Sequence, residues 1–286
     1  KNKYGKELIY FCGNSLGLQP KKTKEYIIQE IDDWKTHAVE GHFHAKNPWL
    51  PYHEMLSTSY SKLIGAKSSE VIAMNTLTVN LHLMMVSFYK PEKNKFKILI
   101  EKDAFPSDIY AVESQIKFHG FKSDEALIKL EPRKGEYYIR QEDIEKIIKE
   151  NSNEIALILI GGVNYYTGQL FDMQKITKVG HENGIVVGFD LAHAIGNVKL
   201  ELNKWNVDFA VWCSYKYLNS GPGAIAGAFV NERFHNVELP RFTGWWGHNK
   251  KERFLMDDKF KPIKSAEGWQ LSNPPIFSLA PVFASL

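Results

Sequence analysis

The sequence predicts an α/β fold with a mostly parallel sheet and helices on both of its faces. Short apolar runs alternate with helical patterns from about residue 71 to residue 230, which is typical of consecutive strand–helix–strand units. Two of these runs, over residues 185–190 and 209–213, end in polar residues. Polar groups at the carboxyl ends of parallel strands are where open α/β sheets build their ligand sites.

Composition and charge favour a globular protein without nucleic-acid or membrane partners. The 286 residues are 44% hydrophobic and 24% charged, with a net charge of +3 and no long basic block. No stretch approaches the roughly 18 apolar residues of a membrane span, and the first residues lack the hydrophobic block of a signal peptide. Cys12 and Cys213 are too few for a disulfide scaffold, so we expect a cytoplasmic protein.

Two helices are predicted in the amino-terminal part of the chain. Pro20 opens the first helix, which places Ile31 and Trp34 on one face. The second helix covers residues 52–64 and is closed by Gly65. Between them, His42 and His44 suggest metal binding, but no clustered Cys, His or Asp completes a ligand set, and we predict no metal site.

The stretch from Asn75 to Tyr89 predicts a third helix with an anion site at its start. Asn75 is a suitable N-cap residue, and Thr76 and Thr78 place hydroxyl groups in the first turn. Free amide groups, hydroxyls and the positive end of a helix together attract anions. A structural cap without a ligand is an equally good interpretation of this stretch.

Strands alternate with helices from residue 97 onward. Residues 97–100 form a strand, and residues 105–108 are predicted to be a turn, in which Phe105 either covers a planar ring or is a surface aromatic. Further helices are predicted over residues 143–150 and 174–183. Further strands are predicted over residues 155–160, 185–190, 209–213 and 225–230.

A carboxylate and a lysine form the chemical centre of the predicted site. Asp190 ends one apolar run, and Lys216 follows the next run after Ser214 and Tyr215. Isolated residues of these types are usually a helix cap and a solvated side chain. Lys216, however, follows an almost uncharged strand, which favours an apolar pocket. Pyridoxal phosphate (PLP) chemistry requires such a pair, because the lysine forms a Schiff base and the acid pairs with the pyridine nitrogen.

The order of several short motifs resembles the kynureninases, a family of PLP-dependent hydrolases with the aspartate aminotransferase fold. The resemblance covers nearly the whole chain and rests on FCGNSLGLQP, NTLTVNLHLMMVSFY, FPSD, YYTGQ, GFDLAHAIGNV, WCSYKYLNSGPG, GWWGH and SNPP. The DLAHA and SYK motifs alone fit the wider class V aminotransferase group. GWWGH and SNPP narrow the resemblance to the kynureninases.

The resemblance implies a role for each residue that matches a family motif. Lys216 would be the Schiff-base lysine, Asp190 would pair with the pyridinium nitrogen, and Tyr215 would be a proton donor. The cofactor-binding residues would be Leu77, Thr78, Phe105, Ser107, Asp108, Asp190, His193, Tyr215, Lys216, Trp245 and Asn273. The substrate-binding residues would be Ser15, His42, Ser272 and Asn273, some of which reach across the interface of a homodimer.

Two departures from the family pattern bear on these expectations. Gly161 stands where relatives can carry a serine near the cofactor, and loss of that hydroxyl is expected to weaken binding by about 0.5–1.5 kcal/mol. The family also continues past SNPP into a carboxyl-terminal small domain, which supplies an arginine for the substrate carboxylate. No arginine in residues 1–286 matches that position, so the small domain is expected to be missing from this chain.

The resemblance also implies a domain division and an activity. Residues 1–50 would contribute to the small domain and the dimer face, and residues 51–286 would form the PLP-binding large domain. The activity would be hydrolysis of L-kynurenine or 3-hydroxy-L-kynurenine to anthranilate or 3-hydroxyanthranilate and L-alanine, in tryptophan catabolism and NAD biosynthesis. The alternatives are a cysteine desulfurase or selenocysteine lyase of the same fold, which needs a mobile cysteine, and a non-catalytic, truncated PLP-fold protein.

Overall fold

A seven-stranded sheet forms the centre of the molecule. The computed structural model describes residues 3–286, and the sheet has the strand order β1-β7-β6-β5-β4-β2-β3. Strands β2 to β6 are parallel, and β7 pairs antiparallel with both β6 and β1. The prediction of a mostly parallel sheet is therefore confirmed. The strands are β1 (Val71–Ala73), β2 (Lys97–Glu101), β3 (Leu127–Leu130), β4 (Ile155–Gly161), β5 (Val186–Asp190), β6 (Phe209–Trp212) and β7 (Gly227–Val230).

Helices connect the strands and flank the sheet. The longer helices are α1 (Thr23–His37), α3 (Glu54–Ile64), α4 (Leu77–Phe88), α5 (Pro106–Phe118), α7 (Gln141–Glu150), α8 (Met173–Glu182) and α9 (Ile276–Ser285). Two single turns are α2 (Gly41–His44) and α6 (Ser123–Ala126). Between residues 3 and 286, no helix combines the length and the apolar character needed to cross a lipid bilayer.

Alternate residues of the strands point to opposite faces of the sheet, so the strands contribute to two cores. Ile158 and Ile160 belong to a core that includes residues of α3, α7, α8 and α9. Leu157 and Leu159, their neighbours in β4, belong to a second core with residues of α4 and α5. Both faces of β4 are therefore buried, which explains why this strand is continuously apolar in the sequence.

Two local predictions are wrong, and both concern the starts of helices. Helix α4 begins at Leu77, so Thr76 and not Asn75 is its N-cap residue, because the backbone of Asn75 has a left-handed φ of 49°. The predicted turn over residues 105–108 is instead the start of α5, with Phe105 at the N-cap and Pro106 in the first turn. Proline suits this position because its φ is helical and its missing amide needs no partner.

Candidate active site

A cleft lies where β2, β4, β5 and β6 end. Its other walls are the first turns of α4 and α5 and the loop that follows β6. Nine residues that the sequence predicted for the site line this one cleft, namely Leu77, Thr78, Phe105, Ser107, Asp108, Asp190, His193, Tyr215 and Lys216. The carboxyl edge of a parallel sheet therefore brings together residues that are up to 139 positions apart in the chain (216 − 77).

The amine of Lys216 is oriented by a neutral histidine. Its Nζ atom lies 2.9 Å from Nε2 of His193 and 5.6 Å from the ring centre of Phe105. Burial, together with the charge of Lys216, lowers the pKa of His193 to about 4. The imidazole therefore carries no charge near neutral pH and accepts the hydrogen bond that the lysine donates.

The loop that carries Lys216 is held from two sides. Ser214 is buried, and its hydroxyl donates to the carbonyl oxygen of Ile225 at 2.6 Å. On the other side, the backbone N–H of Gly17 donates to the carbonyl oxygen of Tyr215 at 2.7 Å. A Cβ atom at Gly17 would lie 2.3 Å from the carbonyl oxygen of Lys216, so this close approach requires glycine. The amino-terminal FCGNSLG turn thus helps to position the lysine loop.

Two buried carboxyl groups, Asp108 and Asp190, interact in the cleft. Asp190 ends β5 and accepts a hydrogen bond from the N–H of Ala192 at 2.6 Å. Burial raises the pKa of both acids, and the negative charge of Asp190 raises the pKa of Asp108 further, well above its ordinary value. Of the two acids, Asp108 therefore holds a proton more firmly, and Asp190 is the one that more readily carries the negative charge.

The first turns of α4 and α5 meet in the cleft and form an anion site. The hydroxyl oxygens of Thr78 and Ser107 lie 2.9 Å apart. The N-cap residues, Thr76 and Phe105, make no side-chain capping hydrogen bond. Pro106 has no N–H and the N–H of Asp108 donates to the carbonyl oxygen of Phe105, so the amides left for a ligand are those of Leu77 and Thr78 in α4 and of Ser107 in α5. Two hydroxyls at two positive helix ends are suited to a phosphate group.

Aromatic side chains form a further wall. The ring of Phe105 meets that of Tyr165 edge-on, with ring centres 5.2 Å apart. Tyr215 also lines the cleft, and burial is the main cause that raises the pKa of its phenol to about 12. The phenol is therefore protonated throughout the physiological range and can act as a hydrogen-bond donor.

Five predicted residues do not line this cleft in the described part of the chain. Trp245 is 46% exposed, and its indole N–H donates to the carbonyl oxygen of Arg253 at 3.0 Å. Ser272 and Asn273 lie in a separate surface hollow beside the N-cap of α4. The residues outside the cleft are Ser15, His42, Trp245, Ser272 and Asn273. Their predicted roles stay predictions.

Sequence reasoning missed several residues of the cleft. The most important is Glu101, the last residue of β2, which is 3% exposed and accepts hydrogen bonds from the N–H of Gly161 at 3.1 and 3.2 Å. Burial raises the pKa of Glu101 to about 7. A signal was present, because Glu101 ends an apolar run just as Asp190 does. The other missed lining residues are Val163, Tyr165 and Ala192.

A cluster of possible metal ligands lies outside the cleft. It consists of His53, Glu54 and Glu267 within the described residues. The ammonium group of Lys250 lies 2.8 Å from Glu54 and 2.7 Å from Glu267, so an internal cation already bridges these carboxylates. The cluster is therefore an ion-pair network that joins α3 to the segment around residue 267.

Comparison with known sequences places this chain among PLP-fold proteins. Residues 9–240 match the family model described as Aminotransferase class-V. The kynureninase of Flavobacterium psychrophilum is 58% identical over 99% of this chain and 67% of its own length. The kynureninase of Nematostella vectensis is 54% identical over 97% of this chain and 60% of its own length. The chain spans about two thirds of the length of the bacterial relatives, with shares of 66% and 67%.

Solved structures share the fold at much lower identity. A cysteine desulfurase from Thermococcus onnurineus NA1 has a TM-score of 0.79 at 19% identity, over 97% of this chain and 66% of that chain. The cystine C-S lyase C-DES, in complex with cysteine persulfide, has a TM-score of 0.80 at 14% identity, over 96% of this chain and 70% of that chain. Similarity at these identities shows the common fold and nothing about the reaction.

Proposed function

Because the chain belongs to the kynureninase family of class V aminotransferases, we propose that it carries the catalytic cleft of an enzyme that hydrolyses L-kynurenine or 3-hydroxy-L-kynurenine. One water is consumed, and the products are L-alanine and anthranilate or its 3-hydroxy form. The observation that most strongly supports this proposal is the meeting of Lys216, the Asp108–Asp190 pair and an aromatic wall in one cleft.

PLP is the cofactor of this family, and the donor groups of the cleft fit it. Oδ1 of Asp108 is buried without a hydrogen-bond partner in the described residues, and with Asp190 it suits a protonated ring nitrogen. The hydroxyls of Thr78 and Ser107 suit the phosphate, Phe105 suits the ring face, and Lys216 suits the aldehyde. When bound, PLP supplies an electron-accepting ring that stabilises negative charge on the substrate carbon beside the amine.

The residues of the chain would then move protons and hold the substrate. Lys216 is the base placed to take the proton from the α-carbon of the substrate, and neutral His193 keeps its amine oriented. Tyr215 remains a protonated phenol and can return a proton to the β-carbon after the bond to the carbonyl carbon breaks. The water oxygen ends in the carboxylate of the anthranilate product.

We also propose a cytoplasmic homodimer whose active sites lie at the subunit interface. The five predicted residues outside the cleft of this chain support this arrangement, because a second copy could supply them. The exposed apolar side chains of α1, including Trp34 at 60% exposure, support an interface that involves residues 1–50. Residues 51–286 would form the PLP-binding domain.

The cysteine desulfurase alternative finds less support in the cleft. That chemistry needs a reactive thiolate near the substrate. Cys213 is buried, and burial is the main cause that raises the pKa of its thiol to about 11. Cys12 is exposed in the amino-terminal turn and does not line the cleft. Neither cysteine is therefore set up as the nucleophile.

Three readouts on one purified sample test the proposal. Adding PLP should produce a near-visible absorbance band, and adding L-kynurenine should then produce anthranilate fluorescence. Sulfide release from L-cysteine, without anthranilate formation, would favour the desulfurase alternative. A PLP band with neither product would favour a non-catalytic PLP-fold protein.

A further inference from the structure

The carboxyl group of Glu101 fills the space that a side chain at position 161 would take. Both of its oxygens face the N–H of Gly161, at 3.1 and 3.2 Å. A Cβ atom at Gly161 would lie 2.8 Å from Oε1 of Glu101, which is closer than real Cβ atoms come to their neighbours. A side chain at position 161 and the present conformation of Glu101 therefore exclude each other.

Glu101 is also joined to the acid pair of the cleft. Gly161 is the β4 residue that pairs with Asp190 in the sheet, so the carboxyl group of Glu101 is held to the strand position beside Asp190. The negative charge of Glu101 acts on Asp108, and that of Asp190 acts on Glu101. Glu101, Asp108 and Asp190 thus form three carboxyl groups in one buried site, with Lys216 as the cation that lines the same cleft.

Building on the proposed function, we propose that Glu101 is a positioning residue of the cofactor cleft, where it replaces a side chain at position 161 and sets the charge beside Asp190. The groups that face it are Asp190 from β5, Asp108 from α5 and Lys216 from the loop after β6, while His193 is neutral. The nearby Lys102–Glu131 ion pair is largely exposed. Since burial brings the pKa of Glu101 to about 7, the cleft gains or loses one negative charge near neutral pH.

The steric part of the proposal is tested by the PLP dissociation constants of Glu101→Ala, Gly161→Ser and the double variant. Although a hydroxyl at position 161 alone would favour cofactor binding, Gly161→Ser should displace the carboxyl group of Glu101 into the cleft, and the net effect should be PLP binding that is weaker by about fivefold or more. The double variant should bind PLP within about twofold of Glu101→Ala, because the serine then has room. Glu182→Ala, which removes an exposed carboxyl group outside the cleft, is the control. If the losses in PLP affinity of Glu101→Ala and Gly161→Ser simply add in the double variant, the two side chains do not exclude each other and the steric proposal is wrong.

The electrostatic part is tested with Glu101→Gln, which keeps the shape and removes the charge. Between about pH 6 and about pH 8 the PLP dissociation constant should change with pH in both proteins. The change in the wild type should be larger than that in Glu101→Gln by about threefold or more. If Glu101 has only a structural role, the PLP dissociation constants of the wild type and Glu101→Gln will depend on pH in the same way. That result would overturn the proposal for Glu101 and leave the proposed function untouched. A wild-type protein that takes up no PLP would instead overturn both this proposal and the proposed function. Circular dichroism of each variant without PLP confirms that it is folded.

Discussion

Nζ of Lys216 and Nε2 of His193 lie 2.9 Å apart, although the two residues follow different strands. His193 comes just after β5 and Lys216 just after β6, and these strands are neighbours in the sheet. The low pKa of His193, about 4, determines the direction of the hydrogen bond, since a neutral imidazole nitrogen accepts from the lysine. The contact therefore holds the amine in place without adding a second positive charge to the cleft.

The Lys216→Ala substitution should abolish covalent capture of PLP. The wild type should show a near-visible band that borohydride removes, together with a permanent mass increase on the peptide that contains Lys216. Lys199→Ala is the control, because Lys199 is an exposed lysine paired with Glu201 at 3.1 Å. A Lys216→Ala protein that still gains the mass after borohydride treatment would contradict the assignment.

His193→Gln should change how stability depends on pH. Between about pH 6.5 and about pH 4 the unfolded chain binds a proton at His193 and the folded protein does not, so the free energy of unfolding falls as pH falls. The glutamine variant lacks this loss. Because His193 is partly exposed, the effect is small. Between about pH 7 and about pH 4.5 the free energy of unfolding of His193→Gln should rise relative to that of the wild type by only on the order of 1 kcal/mol.

Urea unfolding of the PLP-free proteins at several pH values measures this difference directly. His44→Gln, which alters an exposed histidine of the short helix α2, is the matched control. Equal pH slopes for the wild type and His193→Gln would show that His193 is not held neutral in the folded protein. The comparison is between variants because Glu101, whose pKa is raised to about 7, contributes a slope of opposite sign in both proteins.

The part of the site that depends on sheet topology could be predicted from the sequence, and the part that depends on local geometry could not. Asp190 and Lys216 follow apolar runs, so neighbouring parallel strands had to bring their ends together. Glu101 obeys the same rule but is followed by Lys102 and Asp103, which makes the segment resemble a solvated charged loop.

The helix starts show the same limit. Asn75 and Thr76 are both good N-cap residues, and only the left-handed backbone at Asn75 decides between them. The order of residues along one chain also does not reveal which of them a second subunit would supply. For Trp245 and Asn273, therefore, neither the sequence nor a single chain specifies which cleft they serve.

Asp108→Asn and Asp190→Asn should differ strongly, because the pKa of Asp108 is raised more than that of Asp190. In Asp108→Asn the new side-chain amide can donate a hydrogen bond to Asp190 as the protonated acid does, so PLP affinity should stay within about threefold of the wild type. Asp190→Asn removes the carboxylate that would pair with the ring nitrogen and should lower the rate of anthranilate formation by about 100-fold or more. Equal losses in PLP affinity and in the initial rate of anthranilate formation would show that the charge is shared evenly.

Thr78→Val should weaken PLP binding with little effect on the fold. The substitution keeps the shape of the side chain and removes a hydroxyl that lies 2.9 Å from Ser107 at the proposed phosphate site. Loss of one hydrogen bond to a charged group costs about 1.5–3 kcal/mol, or about 10–150-fold in the dissociation constant. Ser114→Ala is the control, since its hydroxyl donates within α5 to the carbonyl oxygen of Ala111 at 2.8 Å. Unchanged PLP affinity in Thr78→Val would show that the phosphate does not bind at Thr78.

Mixing two inactive variants should restore activity if each cleft is completed by a second copy. Lys216→Ala removes the lysine of one subunit, and Asn273→Ala removes a residue that lies outside the cleft of its own chain. In a mixed dimer one cleft would carry both defects and the other neither, so random exchange should recover about a quarter of the wild-type activity. Anthranilate fluorescence after joint refolding measures the recovery. If Asn273→Ala is inactive on its own, recovery near zero, with mixed dimers verified by native mass spectrometry, would show that Asn273 serves the cleft of its own chain. Full activity of Asn273→Ala alone would show that Asn273 serves neither cleft.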